Sequence, residues 1–312
     1  MIQPQALIQS LQSVIAPTSK LGTRFRWSHA LLDVGVLAIS DVVSRKVILW
    51  GTFKSIGHVS SGKRLMSNSI RKVKVKKAVA CNFYISNKCP FPIWPANAAN
   101  EGHPVLAYGG FYLPPGQQRK IQAPADWVGR IWARTGCKFG SNNAPACETG
   151  DCGGKLGCNG LIGTPPVTLV QFALQSDKSK PSFYDVSLVD GYNIPVSVTA
   201  VPSSPKCRIG GCKEDLNDIC PEELKVLNEK GEVVACKSAC LAFDDDKFCC
   251  RNEYGNPKRC KPSVYSKIFK EVCPSYYSYA FDNPAPLVNC VSDDYLITFC
   301  PATKWVSEFD SV

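Results

Sequence analysis

Cysteine is absent from the first 80 residues of this 312-residue chain, and acidic residues are scarce there. That segment holds 13 Lys and Arg against 2 Asp and Glu, a charge of +11, whereas the remainder holds 23 against 24, a charge of −1. The net charge of +10 therefore belongs to the amino-terminal segment. A nearly neutral body argues against nucleic acid as a partner and leaves a membrane only as a target surface.

Zinc-site spacing is also missing, because the chain has no C-x-x-C pair and His103 is the only histidine after residue 80. All 17 cysteines follow residue 80, so we interpret them as a disulfide framework formed in an oxidising, secretory compartment, with zinc as the alternative. Phosphate-binding glycine loops and H-E-x-x-H are absent, as is N-x-[ST] from Cys81 onward. We expect no metal, no cofactor, no N-glycosylation and a secreted monomer.

Residues 1–80 contain no apolar run long enough for a membrane-spanning helix, which needs about 20 residues. The longest run, from Ala30 to Ser40, is interrupted by Asp33 and lies too far from the amino terminus for a standard signal peptide. An organellar transit peptide or a membrane-binding amphipathic segment are alternatives. We favour a largely unfolded leader that is non-native or mis-assigned, or an atypical targeting segment.

The sequence after residue 81 reads as short alternating strands separated by proline and glycine turns, such as NFYIS, GRIWART, TLVQFA and FYDVSLV. This pattern predicts a β-sandwich. The part that begins near residue 207 is dense in cysteine and contains two helix-compatible pieces, Pro221 to Asn228 and Ser263 to Val272. It predicts a second module of short helices and loops.

Specific motifs then point to a family. They are WARTGC at 132–137, ACETGDCGGKLGC at 146–158, YDVSLVDGYN at 184–193, ACKSAC at 235–240 and CPSYYSYAFD at 273–282. With these motifs and sixteen cysteines in the family order, residues 82–303 resemble the thaumatin-like proteins of plants, the pathogenesis-related group 5 family.

The resemblance implies a mainly β fold: a flattened β-sandwich (81–134, 167–213 and 274–303), a small disulfide lobe (135–166), a disulfide-rich helix/loop domain (214–273) and a tail (304–312). It also implies eight disulfides: Cys89–Cys300, Cys137–Cys147, Cys152–Cys158, Cys207–Cys290, Cys212–Cys273, Cys220–Cys236, Cys240–Cys249 and Cys250–Cys260. Cys81 is left over. We interpret it as a leader remnant or free thiol, with an intermolecular bridge as the alternative.

The resemblance further implies an acidic cleft between the two larger domains, lined in antifungal members by one Arg, one Glu and three Asp. Matching by motif gives Arg134, Asp185, Asp190 and Asp282, with Gln171 at the glutamate position. Because residues five apart face opposite sides of an ideal strand, Asp185 and Asp190 both reach the cleft only if Gly191 bends the chain.

An amide at position 171 cannot supply the proton that glycoside hydrolysis requires. We therefore favour a defence-related antifungal protein that binds β-1,3-glucan or a fungal surface, without catalytic residues that can be named. A weak endo-β-1,3-glucanase is one alternative, and a protein-binding inhibitor or structural extracellular protein is another.

Overall fold

The computed structural model describes residues 80–140 and 145–302. The predictions for the leader and for the tail concern residues that lie almost wholly outside this part of the chain. At the amino-terminal boundary, Ala80 begins the first strand and Cys81 is its second residue. The residue bounds of the three predicted parts stay a prediction.

Twelve strands and three short α-helices make up the described regular structure, together with a few 3₁₀ turns. The strands are β1 Ala80–Asn87, β2 Trp94–Ala99, β3 Gln118–Pro124, β4 Val128–Arg134, β5 Leu169–Ala173, β6 Ser182–Ser187, β7 Val196–Val201, β8 Arg208–Ile209, β9 Lys225–Leu227, β10 Val233–Cys236, β11 Val288–Cys290 and β12 Asp294–Phe299. The helices are α1 Ala239–Phe243, α2 Asp246–Cys249 and α3 Val264–Val272.

Two five-stranded sheets hold most of these strands, and β9 and β10 form a separate hairpin. The first sheet has the order β3-β1-β12-β7-β8 and the second has the order β11-β6-β5-β4-β2. Within the first sheet, β1 and β12 run parallel, with Asn82 opposite Asp294 and Asn87 opposite Phe299. The other strand pairs are antiparallel. The mainly β fold class is confirmed.

The core lies between the two sheets because alternate side chains of each strand point the same way. Phe83 of β1 and Tyr295 of β12 meet Phe172 of β5 and Tyr184 of β6, with ring centroids 4.7 to 6.1 Å apart. These four rings are at most 1% exposed. Aromatic pairs at such distances add to the stabilisation that burial alone gives.

All eight predicted disulfides are present, each with the predicted partner. Cys81 is a free thiol, as predicted, but it is fully buried in the core and belongs to β1. It is therefore part of the folded body rather than a leftover of the leader, and its burial keeps it from a partner chain.

The helix/loop module is partly as predicted. Helix α3 forms within the expected segment and begins with a capping box, in which Ser263 and Ser266 each bond to the other's backbone N–H. The helix expected from Pro221 to Asn228 is wrong, because that segment forms one 3₁₀ turn followed by β9. Pairing with β10, beside the Cys220–Cys236 bridge, outweighs its helix propensity.

Candidate functional site

Three polar side chains stand side by side across the middle of the second sheet. Arg130 of β4 lies opposite Gln171 of β5, which lies opposite Asp185 of β6. Directly opposed residues of neighbouring strands have Cβ atoms about 4.5–5.5 Å apart. Because their strand neighbours Ile131 and Phe172 point into the core, these three point to the outer face of the sheet. We call them the polar row.

Asp190 joins the polar row from the turn after β6. Gly191 has φ +88°, a left-handed conformation, and an added Cβ would lie 2.5 Å from Pro166 and 2.8 Å from the Cys236 carbonyl oxygen. Only glycine fits that turn. The chain therefore bends at Gly191, the bend that the sequence analysis required if Asp185 and Asp190 are to lie together. Arg130 interacts electrostatically with both aspartates.

Burial dominates the electrostatics of the polar row. Arg130 is 3% exposed and Asp185 is 2% exposed, while Gln171 and Asp190 are partly exposed. Burial raises the pKa of Asp185 to about 8, with Arg130 opposing the shift, and it raises the pKa of Asp190 by the same mechanism. Burial also lowers the pKa of Arg130. Asp185 therefore keeps its proton over most of the acid to neutral range.

A neutral Asp185 can donate a hydrogen bond from one of its two carboxyl oxygens. Its Oδ1 atom has no hydrogen-bond partner among the described residues. The hydroxyl of Tyr277 also has no hydrogen-bond partner among the described residues, and the residue is 3% exposed. Burial raises the pKa of Tyr277, and the nearby Asp185 and Asp282 raise it further. Tyr277 is held beside β6 by main-chain bonds to Val186 and Leu188, both 2.8 Å.

Asp282 has a different environment, because its charge is already compensated. Its Oδ2 atom lies 3.1 Å from Lys270 Nζ and accepts hydrogen bonds from the backbone N–H of Ser278 at 2.9 Å and from the Ser278 hydroxyl at 3.0 Å. It is 8% exposed. The electrostatic influence of both aspartates on Tyr277 places Asp282 in the same region as Asp185, but with its Oδ2 atom occupied.

The structure corrects the role predicted for Arg134. Its side chain is fully buried at the end of β4, where it donates to the carbonyl oxygens of Trp94 at 3.0 Å, Lys155 at 2.8 Å and Leu156 at 2.8 Å. Arg134 therefore ties the segment around the Cys152–Cys158 bridge to the sheet.

The arginine near the aspartates is Arg130, which the prediction missed. It lies four residues earlier on the same face of β4. The antiparallel pairing of β4 with β5 would have identified it, because Arg130 is the residue opposite Gln171.

Two further observations limit the chemistry of the described residues. No group of three or more His, Cys, Asp or Glu side chains among them could hold a metal ion. In the same ranges, every helix is too short or too polar to cross a membrane. In the motif at 146–158, Asp151 and Thr149 have structural roles. Asp151 accepts a hydrogen bond from the Gly154 N–H at 2.8 Å, and the Thr149 hydroxyl lies 2.7 Å from the Thr135 hydroxyl.

Fold and site together define a disulfide-bonded β-sandwich that carries a partly buried polar row on the outer face of one sheet. Residues 87–301 match the thaumatin family, so the chain belongs to that family. It is 47% identical over 227 residues to pathogenesis-related thaumatin-like protein 3.5 of Cryptomeria japonica, covering 73% of this chain and 92% of that protein.

Two other relatives give similar values. Pathogenesis-related protein 5 of Arabidopsis thaliana is 49% identical over 223 residues, covering 72% of this chain and 91% of that protein. Osmotin-like protein of Solanum lycopersicum is 48% identical over 225 residues, covering 70% and 89%. The resemblance found in the sequence motifs is confirmed.

Proposed function

We propose that this chain is a secreted, defence-related protein that binds β-1,3-glucan or a similar polysaccharide of a fungal surface where the polar row meets solvent. The observation that carries the proposal is the cross-strand alignment of Arg130, Gln171 and Asp185, with Asp190 beside them. Relatives named as pathogenesis-related proteins support the defence role. The density of disulfides supports secretion.

The exposed members of the polar row are the ones that reach a sugar. Gln171 offers an amide that both donates and accepts, and Asp190 offers a carboxyl group, which is the combination that vicinal sugar hydroxyls require. Arg130 and Asp185 are buried beside Gln171 in neighbouring strands, and Arg130 interacts electrostatically with Asp190. Because the site needs only hydrogen bonding, it functions without a catalytic pair.

Retention on insoluble β-1,3-glucan tests this proposal. Gln171→Ala and Asp190→Ala are each expected to weaken binding about tenfold, because each removes a hydrogen bond made in a partly desolvated site. Gln175→Ala is the matched control, since Gln175 is also partly exposed and only its backbone N–H is bonded, to Ser182. Equal retention of all three variants would remove the polar row as the binding surface.

A weak endo-β-1,3-glucanase is the second candidate, and the raised pKa of Asp185 is the observation that favours it. A carboxyl group that is protonated near neutrality can act as a general acid, which the amide of Gln171 cannot. The test is release of reducing ends from laminarin. Activity that disappears in Asp185→Asn while glucan retention persists would establish catalysis, whereas inactive wild-type protein would eliminate it.

A further inference from the structure

The outer face of the first sheet carries a second arrangement of polar groups. One cross-strand row runs through all five strands, because each member lies opposite the next: Lys120, Tyr84, Leu296, Thr199 and Arg208. Four strand spacings of about 4.8 Å separate its ends, so the row is about 19 Å long. It has a cation at each end and an aromatic and an aliphatic side chain in the middle.

A parallel row of small polar side chains lies two residues further along the strands. Gln118, Ser86, Thr298 and Ser197 are its members, in the same strand order. Between the two rows and the end of β12 lies an open groove of about 560 Å³, lined by Ser197, Thr199, Leu296 and Thr298 and by the cations Lys88 and Arg208. That volume lies in the range of ligand sites. We call this surface the hydroxyl face.

Positive charge predominates on the hydroxyl face. Lys88 and Lys120 are exposed, and neither makes an ion pair with any described residue. Lys120 Nζ lies 5.7 Å from the centre of the Tyr84 ring, which keeps this ammonium group over the face.

The nearby carboxylate of Asp294 is already engaged. It accepts from the backbone and side chain of Asn82 at 2.9 and 2.7 Å and lies 3.5 Å from the Tyr84 hydroxyl. The hydroxyl face therefore carries the ammonium groups of Lys88 and Lys120 against the one carboxylate of Asp294.

We propose that the hydroxyl face binds a linear, anionic polysaccharide built from uronic acids. The ammonium groups of Lys88 and Lys120 match uronate carboxylates. The partly exposed hydroxyls of Thr199 and Thr298 match sugar hydroxyls. Tyr84 and Leu296 match the apolar faces of sugar rings. A length of about 19 Å accommodates several sugars of an extended chain. This site is separate from the polar row, which lies on the other sheet.

Binding of the full chain to polygalacturonate tests the proposal, with carboxyl-reduced polygalacturonate as the neutral probe. The variant Lys88→Glu/Lys120→Glu is compared with Lys230→Glu/Lys258→Glu, which changes the net charge equally at exposed positions of the helix/loop module. We expect the first variant to bind about tenfold more weakly than the second, because two attractive contacts become repulsive. The neutral probe should not bind to the hydroxyl face.

The basic amino-terminal segment attracts polyanions in every variant, so a second readout localises the contact. Acetylation of wild-type protein with and without polygalacturonate should show Lys88 and Lys120 protected relative to Lys230 and Lys258. This measurement also answers the question if the charge-reversal variant does not fold.

Three results would overturn the proposal: equal acetylation of Lys88 and Lys120 with and without polymer, equal binding of the two charge variants, or equal affinity for the neutral probe. Failure of the proposed glucan site would give a different result from failure of the hydroxyl face. Gln171→Ala should lose retention on β-1,3-glucan and keep full affinity for polygalacturonate. An acidic protein partner would appear as charge-dependent capture without protection by the polysaccharide, and that outcome also rejects the proposal.

Discussion

Replacing Asp185 with asparagine should change how the stability of the protein depends on pH. Asp185 has a pKa of about 8 in the folded chain against 3.8 for an ordinary aspartate. Because the folded state holds this proton more tightly, the contribution of Asp185 to stability is full below pH 4 and is lost as the pH rises through 8. Each pH unit within this window costs about 1.4 kcal/mol.

The expected magnitude follows from these values. Between pH 5 and pH 8 the wild-type protein should lose about 4 kcal/mol of unfolding free energy through Asp185. Asp185→Asn removes that loss and should match the wild type to within about 1 kcal/mol at pH 5, since a neutral amide replaces a neutral carboxyl group. Part of the pH dependence should remain, because the pKa of Asp190 is raised in the same direction.

Urea unfolding with intact disulfides measures the difference, and urea leaves the ion pairs unscreened. Trp127 and Trp132 are fully buried and report the transition by fluorescence. All variants carry Cys81→Ala, so that no free thiol can exchange with disulfides in the unfolded chain. Exposed Asp218, replaced by asparagine, is the control for removing a charge.

The opposite sign would refute the reasoning. If Asp185 were ionised and paired with Arg130 at all pH values above 5, Asp185→Asn would leave the arginine less compensated. The variant would then be destabilised by about 3–5 kcal/mol at pH 8. Parallel pH curves for wild type and variant would likewise show that Asp185 does not titrate in this range.

Three further predictions concern the covalent and buried parts of the fold. Arg134→Met should lower the unfolding free energy by about 3–5 kcal/mol in urea, because three partly buried carbonyl oxygens lose their fully buried donor, while glucan retention of the folded fraction stays unchanged. The double replacement Cys89→Ala/Cys300→Ala should lower the unfolding free energy by about 5 kcal/mol in the same assay. This bridge closes a loop of 211 residues, and the bridges Cys207–Cys290, Cys137–Cys147 and Cys152–Cys158 inside it span 83, 10 and 6 residues. The effective loop is therefore about 112 residues long. Cys81 should resist iodoacetamide at pH 8 in the folded protein and react in urea, as mass spectrometry would show, because burial raises its pKa to about 12.

Each of these predictions has a clear contrary result. Loss of glucan retention in folded Arg134→Met would return this arginine to the binding site. An unchanged urea midpoint after removal of the Cys89–Cys300 bridge would show that strand pairing alone holds the first and last strands together. Alkylation of Cys81 in native protein would show that the start of β1 opens in solution.

The disulfide pairing was implied by the resemblance to the thaumatin-like proteins, since cysteine spacing alone leaves the partners open. The strands were predicted well because period-two alternation is a local signal. The helix expected from Pro221 to Asn228 failed for the opposite reason. Its outcome depends on pairing with β10 and on the Cys220–Cys236 bridge, which are contacts with a second strand rather than properties of the segment itself. Propensity alone does not include such contacts.

The site was predicted less completely than the fold. Asp185, Asp190 and the bend at Gly191 could be anticipated from the sequence. The choice between Arg130 and Arg134 could not, because both lie on the same face of the same strand. Only the register of β4 against β5 distinguishes them, and register is set by tertiary pairing. The raised pKa of Asp185 could not be anticipated either, since it results from burial.

The side-by-side placement of β1 and β12 has a consequence for biosynthesis. Strand β1 leaves the ribosome more than 200 residues before β12, its parallel partner. Cys89 likewise precedes Cys300 by 211 residues. Bridges that span only 6 to 16 residues can close early, while Cys89 must stay reduced or exchange partners. Until β12 arrives, β1 exposes an unpaired edge that can join another chain. The Cys89–Cys300 bridge should therefore form only after β12 has been synthesised.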